Sequence, residues 1–251
     1  MPVVLLAIVS SLGVSLLSLC GIALFALSGR LVKRVLLYLV SFSTGAILGD
    51  VSLHMLPEMT EGAESVQSLM MIFLMGILFS FLMEKVIRWR HCHELPDAHG
   101  HTHHHHVGIM NLIGDGVHNF IDGLVIGASF LVSVPIGIST TFAIAFHEIP
   151  HEIGDFAVLV HSGYTRAQAL RLNVLSGLTA LAGTLLVLFA ATQVESIELI
   201  LLPFAAGNLL YIAAADLIPE LHRDTGIRSG ILQVLCMAAG IGVMYVLLGL
   251  E

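Results

Sequence analysis

Residues 135–160 read PIGISTTFAIAFHEIPHEIGDFAVLV, a run long enough to cross a bilayer as a helix, which takes about 20 mostly apolar residues. From its middle onward it carries His147, Glu148, His151, Glu152 and Asp155. Each ionisable group at the centre of a membrane helix costs roughly 2.5–3.5 kcal/mol on insertion scales, so groups kept there are informative. Seven further apolar runs lie outward from this one, at 3–27, 35–56, 65–87, 109–132, 168–191, 197–219 and 230–249. The pattern predicts an all-α polytopic membrane protein with eight transmembrane helices, and 1–251 as a single transmembrane domain. Composition agrees: 57% of residues are hydrophobic and 11% charged, against about 25% charged in ordinary soluble domains.

The first run has no basic residue before it and no charge until Arg30, so it reads as a span rather than a cleaved signal. Every Lys and Arg then falls on one side. Arg30, Lys33 and Arg34 follow span 1, and Lys85, Arg88 and Arg90 end span 3. Arg166 and Arg171 join spans 5 and 6, and Arg223 and Arg228 join spans 7 and 8. The opposite loops hold Glu58, Glu61, Glu64, Glu195 and Glu198 with no base. By the positive-inside rule both termini face outward. Cys20, Cys92 and Cys236 offer no disulfide framework.

Residues 91–107, HCHELPDAHGHTHHHHV, form a hydrophilic insertion on the inner side with eight of the fourteen histidines. Such a tract reads as unstructured and rich in imidazoles that ligate zinc, copper or nickel, here His91, His93, His101, His103, His104, His105 and His106. It is internal and irregular, unlike an expression tag. Glycines inside the spans, as at Gly45 to Gly49 and Gly123 to Gly127, read as close helix packing.

Span 4 contains GDGVHNFIDGLVIG. His118 and Asp122 are four residues apart and share a face about 6 Å apart along the axis, with Asn119 just round from them. In span 5, His147, His151 and Asp155 make one stripe at i, i+4 and i+8. Two such helices facing each other would give a cage of imidazole nitrogens and carboxylate oxygens suited to zinc or another first-row divalent ion. The metal candidates are His118, Asn119, Asp122, His147, Glu148 and His151. Pro150 lacks an N–H and frees the carbonyl of Phe146, which in lipid requires packing, water or an ion to satisfy it. Asp50 and His54 in span 2, Asp155 in span 5, and Asp216 and Glu220 in span 7 are candidates to line a path; helix-end solvation explains Glu220 equally well.

These residues resemble the ZIP family of metal-ion transporters, in the branch with a HEXPHEXGD motif and histidine-rich loop. The likeness rests on HNFID at 118–122, HEIPHEIGD at 147–155, HMLPE at 54–58 and DLIPEL at 216–221, with the span count and the His-rich loop. The resemblance implies a paired metal site between helices 4 and 5. One position would use His118, Asp122, His147 and His151, and the other Asn119, Asp122, Glu148 and His151. It also implies passage of zinc toward the cytosol, with iron, manganese and cadmium as further ions, a bundle moving against a scaffold, and frequent homodimers. Two departures stand out. Other branches carry a Glu in helix 6, where SGLTALAG at 176–183 has no acid and only Asn173, Ser176 and Thr179 are near. Phe146 stands where many relatives have Cys or Glu.

Two rival readings remain. His147 to His151 spells H-E-x-x-H, in which two histidines bind zinc and Glu148 activates water, as in an intramembrane metalloprotease; a whole second ligand helix counts against it. A membrane metal sensor would bind the same ions without moving them. No P-loop is present, so no ATP coupling is expected, and neither is enzymatic activity, a cofactor or a nucleic-acid partner. Small size and the lack of a presequence point to the plasma membrane of a prokaryote, with an organelle membrane as the alternative.

Overall fold

A computed structural model describes residues 2–25, 29–61, 65–92, 103–194 and 197–250. Among them the chain runs through eight helical rods, each within one of the apolar runs or extending it. Rod α1 is α-helical over Pro2–Ser15 and tightens to a 3-10 helix over Leu16–Phe25. Rod α2 is Gly29–Asp50, continued by a π turn, Val51–Met55, and by Leu56–Thr60. Rods α3, α4 and α5 are Val66–Cys92, His103–Val132 and Val134–His161. Rod α6 breaks at Leu178 into Arg166–Gly177 and Thr179–Ala190. Rod α7 is Glu198–Tyr211, a π turn Ile212–Leu217, and Ile218–Leu221, and α8 is Ile227–Leu247.

Local sequence explains several of these boundaries. Ser133 caps α5 by accepting from the Ile136 N–H, with a proline in the first turn. Thr165 and Gln168 form a capping box at the start of α6. Both π turns end two residues before a proline, Pro57 or Pro219, where a missing N–H already interrupts the α-helical ladder.

Among the described residues six helices are long and apolar enough to cross a membrane, against the eight expected from the sequence. The two outside that set are α4 and α5. They are 30 and 28 residues long, about 45 and 42 Å at 1.5 Å per residue, but Asp115, His118, Asn119 and Asp122 on one and His147, Glu148, His151, Glu152 and Asp155 on the other make them too polar to face lipid. They pack on each other instead, flanked by α1 and α6 on one side and by α2 and α7 on the other. The inner tract is also shorter than expected. His91 lies in α3, and His103, His104, His105 and His106 open α4, since neutral imidazole is no helix breaker. His93 and His101 lie outside the described residues.

Three helix pairs are joined through reciprocal glycines. A Cβ on Gly45 would fall 2.0 Å from Met237 O and one on Gly240 2.2 Å from Phe42 O, joining α2 to α8. Gly76 and Gly207 join α3 to α7 in the same way, and Gly123 and Gly183 join α4 to α6. In lipid, where apolar burial between helices gains little, such close approach supplies the packing that holds a bundle together. The contacts gather α1, α4, α5 and α6 into one group and link α2 to α8 and α3 to α7, with α2 packing on α5 and α7 on α4 between the two groups.

Candidate metal centre

Where α4 packs on α5, His118 and Asp122, one turn apart, meet His147 and Glu148, adjacent on the facing helix. His118 Nε2 lies 3.2 Å from His147 Nε2, 3.3 Å from Glu148 Oε1 and 3.8 Å from Asp122 Oδ2. His147 Nε2 lies 3.0 Å from Asp122 Oδ2 and 3.3 Å from Glu148 Oε1. Four donors about 2.0–2.1 Å from a tetrahedral zinc ion would stand roughly 3.3 Å apart. The side chains therefore already hold the spacing of a ligand shell.

The hydrogen bonding around the cage points the same way. His147 Nδ1 is 3.4 Å from Ala143 O, which can only accept, so a proton on Nδ1 leaves the Nε2 lone pair facing the cage. Asp122 and Glu148 are buried and face the two cage imidazoles at ion-pair distance, and neither carboxylate has a hydrogen-bonding partner outside the cage among the described residues. Buried carboxylates in that condition are costly unless a cation pairs with them.

His151 does not join this group. Its side chain is 36% exposed where that of His147 is 0%, and its ring stacks on His118 at 4.7 Å. Its Nδ1 faces Asp155 Oδ2 at 3.2 Å, and it gathers instead with Asp155 and Asp115. One helical turn separates His147 from His151, and the neighbouring Glu148 reaches the cage in its place. Asn119 is fully buried, with Nδ2 donating to Asp115 Oδ1 at 2.8 Å and Oδ1 accepting no hydrogen bond.

Asp115 was not singled out by the sequence reading, although its place one turn before His118 and Asn119 was the available signal. The polar residues of α6 find their partners here. Ser176 donates to Asp115 Oδ2, and Asn173 Nδ2 donates to Glu152 Oε2 at 2.5 Å. Thr179 donates to Gly116 O at 2.6 Å. Ser18 on α1 donates to the other Glu152 oxygen at 2.6 Å.

Two cavities reach these residues. One, of about 520 Å³, is lined by Val40, His147, Pro150, His151, Asp216 and Glu220 among others. The other, of about 400 Å³, is lined by Glu84, Asn111, His118, His151, Tyr211 and Asp216 among others. Both lie toward the helix ends that carry Arg34, Lys85, Arg166 and Arg223. Past the cage, the opposite halves of α2, α4 and α5 close in a dry core that includes Ile47, Val51, Met55, Ile126, Phe130 and Ile144. Of the expected path residues, Asp216 and Glu220 line a cavity, Glu220 also pairing with Arg223 at 2.7 Å. Asp50 and His54 line neither cavity. They are buried at the π turn of α2, with His54 Nε2 2.9 Å from Met244 O.

Comparison with known proteins gives this geometry a context. The chain is 35% identical over 220 residues to zinc transporter ZIP13 of Pongo abelii, covering 82% of this chain and 65% of that protein. It is 32% identical over 212 residues to zinc transporter YKE4 of Saccharomyces cerevisiae, covering 74% and 61%. With human zinc transporter SLC39A7 it shares 41% over 151 residues, 57% of this chain and 32% of the other. It thus spans between about a third and two thirds of the length of these relatives, which are eukaryotic and lend no support to a prokaryotic address. The family model described as ZIP zinc transporter matches residues 1–108 and 90–248, nearly the whole sequence, and the chain belongs to that family.

Proposed function

We propose that this protein carries zinc, or another divalent first-row ion, across a membrane through the cage between α4 and α5, with all eight rods spanning the bilayer and the basic helix ends on the cytosolic side. The observation that carries the reading is the cage itself. Four ligand atoms from two facing helices gather within 4.8 Å of one another, and the two buried carboxylates among them have no hydrogen-bonding partner outside the cage among the described residues. The cavities add a direction, because the cage is reached from the basic side and closed by apolar residues on the other. That is the arrangement of a carrier open toward the side on which it releases its ion.

A metalloprotease would need His147 and His151 on one zinc ion and Glu148 held off it as a base. Here His147 pairs with His118, His151 turns to Asp155, and Glu148 Oε1 stands 3.3 Å from both cage imidazoles. The test of transport is zinc uptake into proteoliposomes loaded with a fluorescent indicator, comparing the parent with Asp122→Ala and His147→Ala at equal reconstitution. Uptake by the parent that both variants lose is expected. No uptake by folded parent protein, under either a zinc or a proton gradient, would overturn the reading in favour of a sensor.

A further inference from the structure

The membrane-competent stretches of α2 and α8 begin at Arg34 and Ile227, on the basic side of the bundle. At that boundary, away from the cage, a cavity of about 1030 Å³ is lined from both helices. Rod α2 supplies Arg34, Leu37 and Tyr38, which share a face at i, i+3 and i+4. Rod α8 supplies Arg228 and Leu232, one turn apart, next to Ile227, which is 83% exposed. Both arginines are exposed and neither has an ion-pair partner among the described residues, whereas Arg223 pairs with Glu220. The third charge in the lining is Asp224. It accepts Gly226 N–H at 2.9 Å and Ser229 Oγ at 2.6 Å, both on Oδ1, so the start of α8 holds it rather than either arginine.

We propose that this cavity binds a singly charged anionic phospholipid of the leaflet on the basic side, with the phosphate between Arg34 and Arg228 and the acyl chains along Leu37 and Leu232. Guanidinium is planar, matches phosphate oxygens in pairs and is weakly hydrated, which suits a site half in water and half in lipid. Basic pockets between membrane helices at this depth recruit lipid phosphates. A soluble anion would satisfy the arginines and leave Ile227 and Leu232 uncovered, while a lipid covers all four. The charge balance sets the headgroup. Two arginines against Asp224 leave one positive charge over, which one phosphodiester matches, whereas a zwitterionic lipid brings its own cation to the arginines. Bound there, the lipid bridges two helices whose backbones meet at Gly45 and Gly240, about three turns deeper.

The inference requires α2 and α8 to cross a bilayer and is independent of zinc, so its test reads retained lipid alone. Full-length protein in detergent is titrated with phosphatidylglycerol, or with phosphatidylcholine of the same acyl chains, and bound lipid is counted by native mass spectrometry. The parent should retain one phosphatidylglycerol per chain at concentrations where phosphatidylcholine is lost. Arg34→Gln and Arg228→Gln should each weaken this by about fivefold, the contribution of one basic residue beside anionic lipid. Arg171→Gln, which removes the same charge from α6 outside the cavity, should not. Asp224→Asn should tighten binding by a similar factor, a gain that a misfolded protein cannot give. Equal retention of the two lipids, arginine variants that match Arg171→Gln, or weaker binding in Asp224→Asn would each overturn the proposal. Displacement of the lipid by inorganic phosphate would overturn it as well, in favour of a site for a soluble anion.

Discussion

The cage carboxylates and the acids around them differ in one respect that separates their roles. Asp122 and Glu148 are buried with only the cage imidazoles against them among the described residues, whereas Glu152, one turn after Glu148 on α5, has Ser18 on one oxygen and Asn173 on the other. Glu148 and Glu152 are alike in burial, residue type and helix, so none of these distinguishes the proposed ligand from the structural acid. The partners do. A fold that can place a hydroxyl and an amide against Glu152 gives Asp122 and Glu148 only the cage imidazoles, groups that can themselves ligate an ion, and two buried carboxylates side by side favour a cation between them. The bonded acids also tie together α1, α4, α5 and α6 through Ser18, Asp115, Glu152 and Asn173, around the cage pair.

The comparison can be broken most sharply by neutralising the two kinds of acid in turn. Asp122→Asn or Glu148→Gln should weaken zinc binding by more than about 100-fold, the upper range for a group merely standing behind a ligand. The same changes should leave the melting temperature of the metal-free protein near the parent's, because Asn and Gln keep a carbonyl oxygen facing the cage imidazoles. Glu152→Ala should do the reverse. It strands the Ser18 hydroxyl and the Asn173 amide at a cost of about 1–3 kcal/mol each, seen as a lower melting temperature with zinc affinity held. Melting curves with and without zinc read both quantities. A cage variant that melts early, or a Glu152 variant that loses zinc, would erase the distinction.

Much of this was legible in the sequence. Eight apolar runs became eight rods, and ionisable residues inside them marked His118, Asp122, His147 and Glu148, because hydrocarbon makes such residues conspicuous. The same polarity removed α4 and α5 from the set apolar enough to cross a membrane, since hydropathy records composition and takes no account of what shields a helix. The i, i+4, i+8 stripe of His147, His151 and Asp155 is visible in the sequence, and His151 bonds to Asp155 one turn on. Spacing along one helix could not say which of these residues the facing helix would meet, and the fold brings Glu148 rather than His151 beside His118, Asp122 and His147. Asp115 escaped notice for a related reason: its importance lies in contacts to Asn119 and to Ser176, the latter 61 residues away.

The smallest expected effect concerns a backbone acceptor governed by the same rule. Pro150 frees the carbonyl of Phe146, and Ser43 Oγ on α2 lies 2.5 Å from it while also 2.7 Å from Leu39 O, so one proton serves two acceptors. This bond crosses from the α2, α3, α7 and α8 group to the group that carries the cage, beside the edge-on pair of Phe42 and Phe146 rings at 4.7 Å. Ser43→Ala should cost about 0.5–1.5 kcal/mol, the ordinary net worth of a hydrogen bond, with zinc binding intact. In a Pro150→Ala background that cost should largely vanish, because an N–H at position 150 can close the helix on Phe146 O without help. A double-mutant cycle on melting temperatures measures the coupling. If Ser43→Ala costs the same in both backgrounds, the hydroxyl serves Leu39 alone, and the carbonyl freed by Pro150 is satisfied by something other than α2.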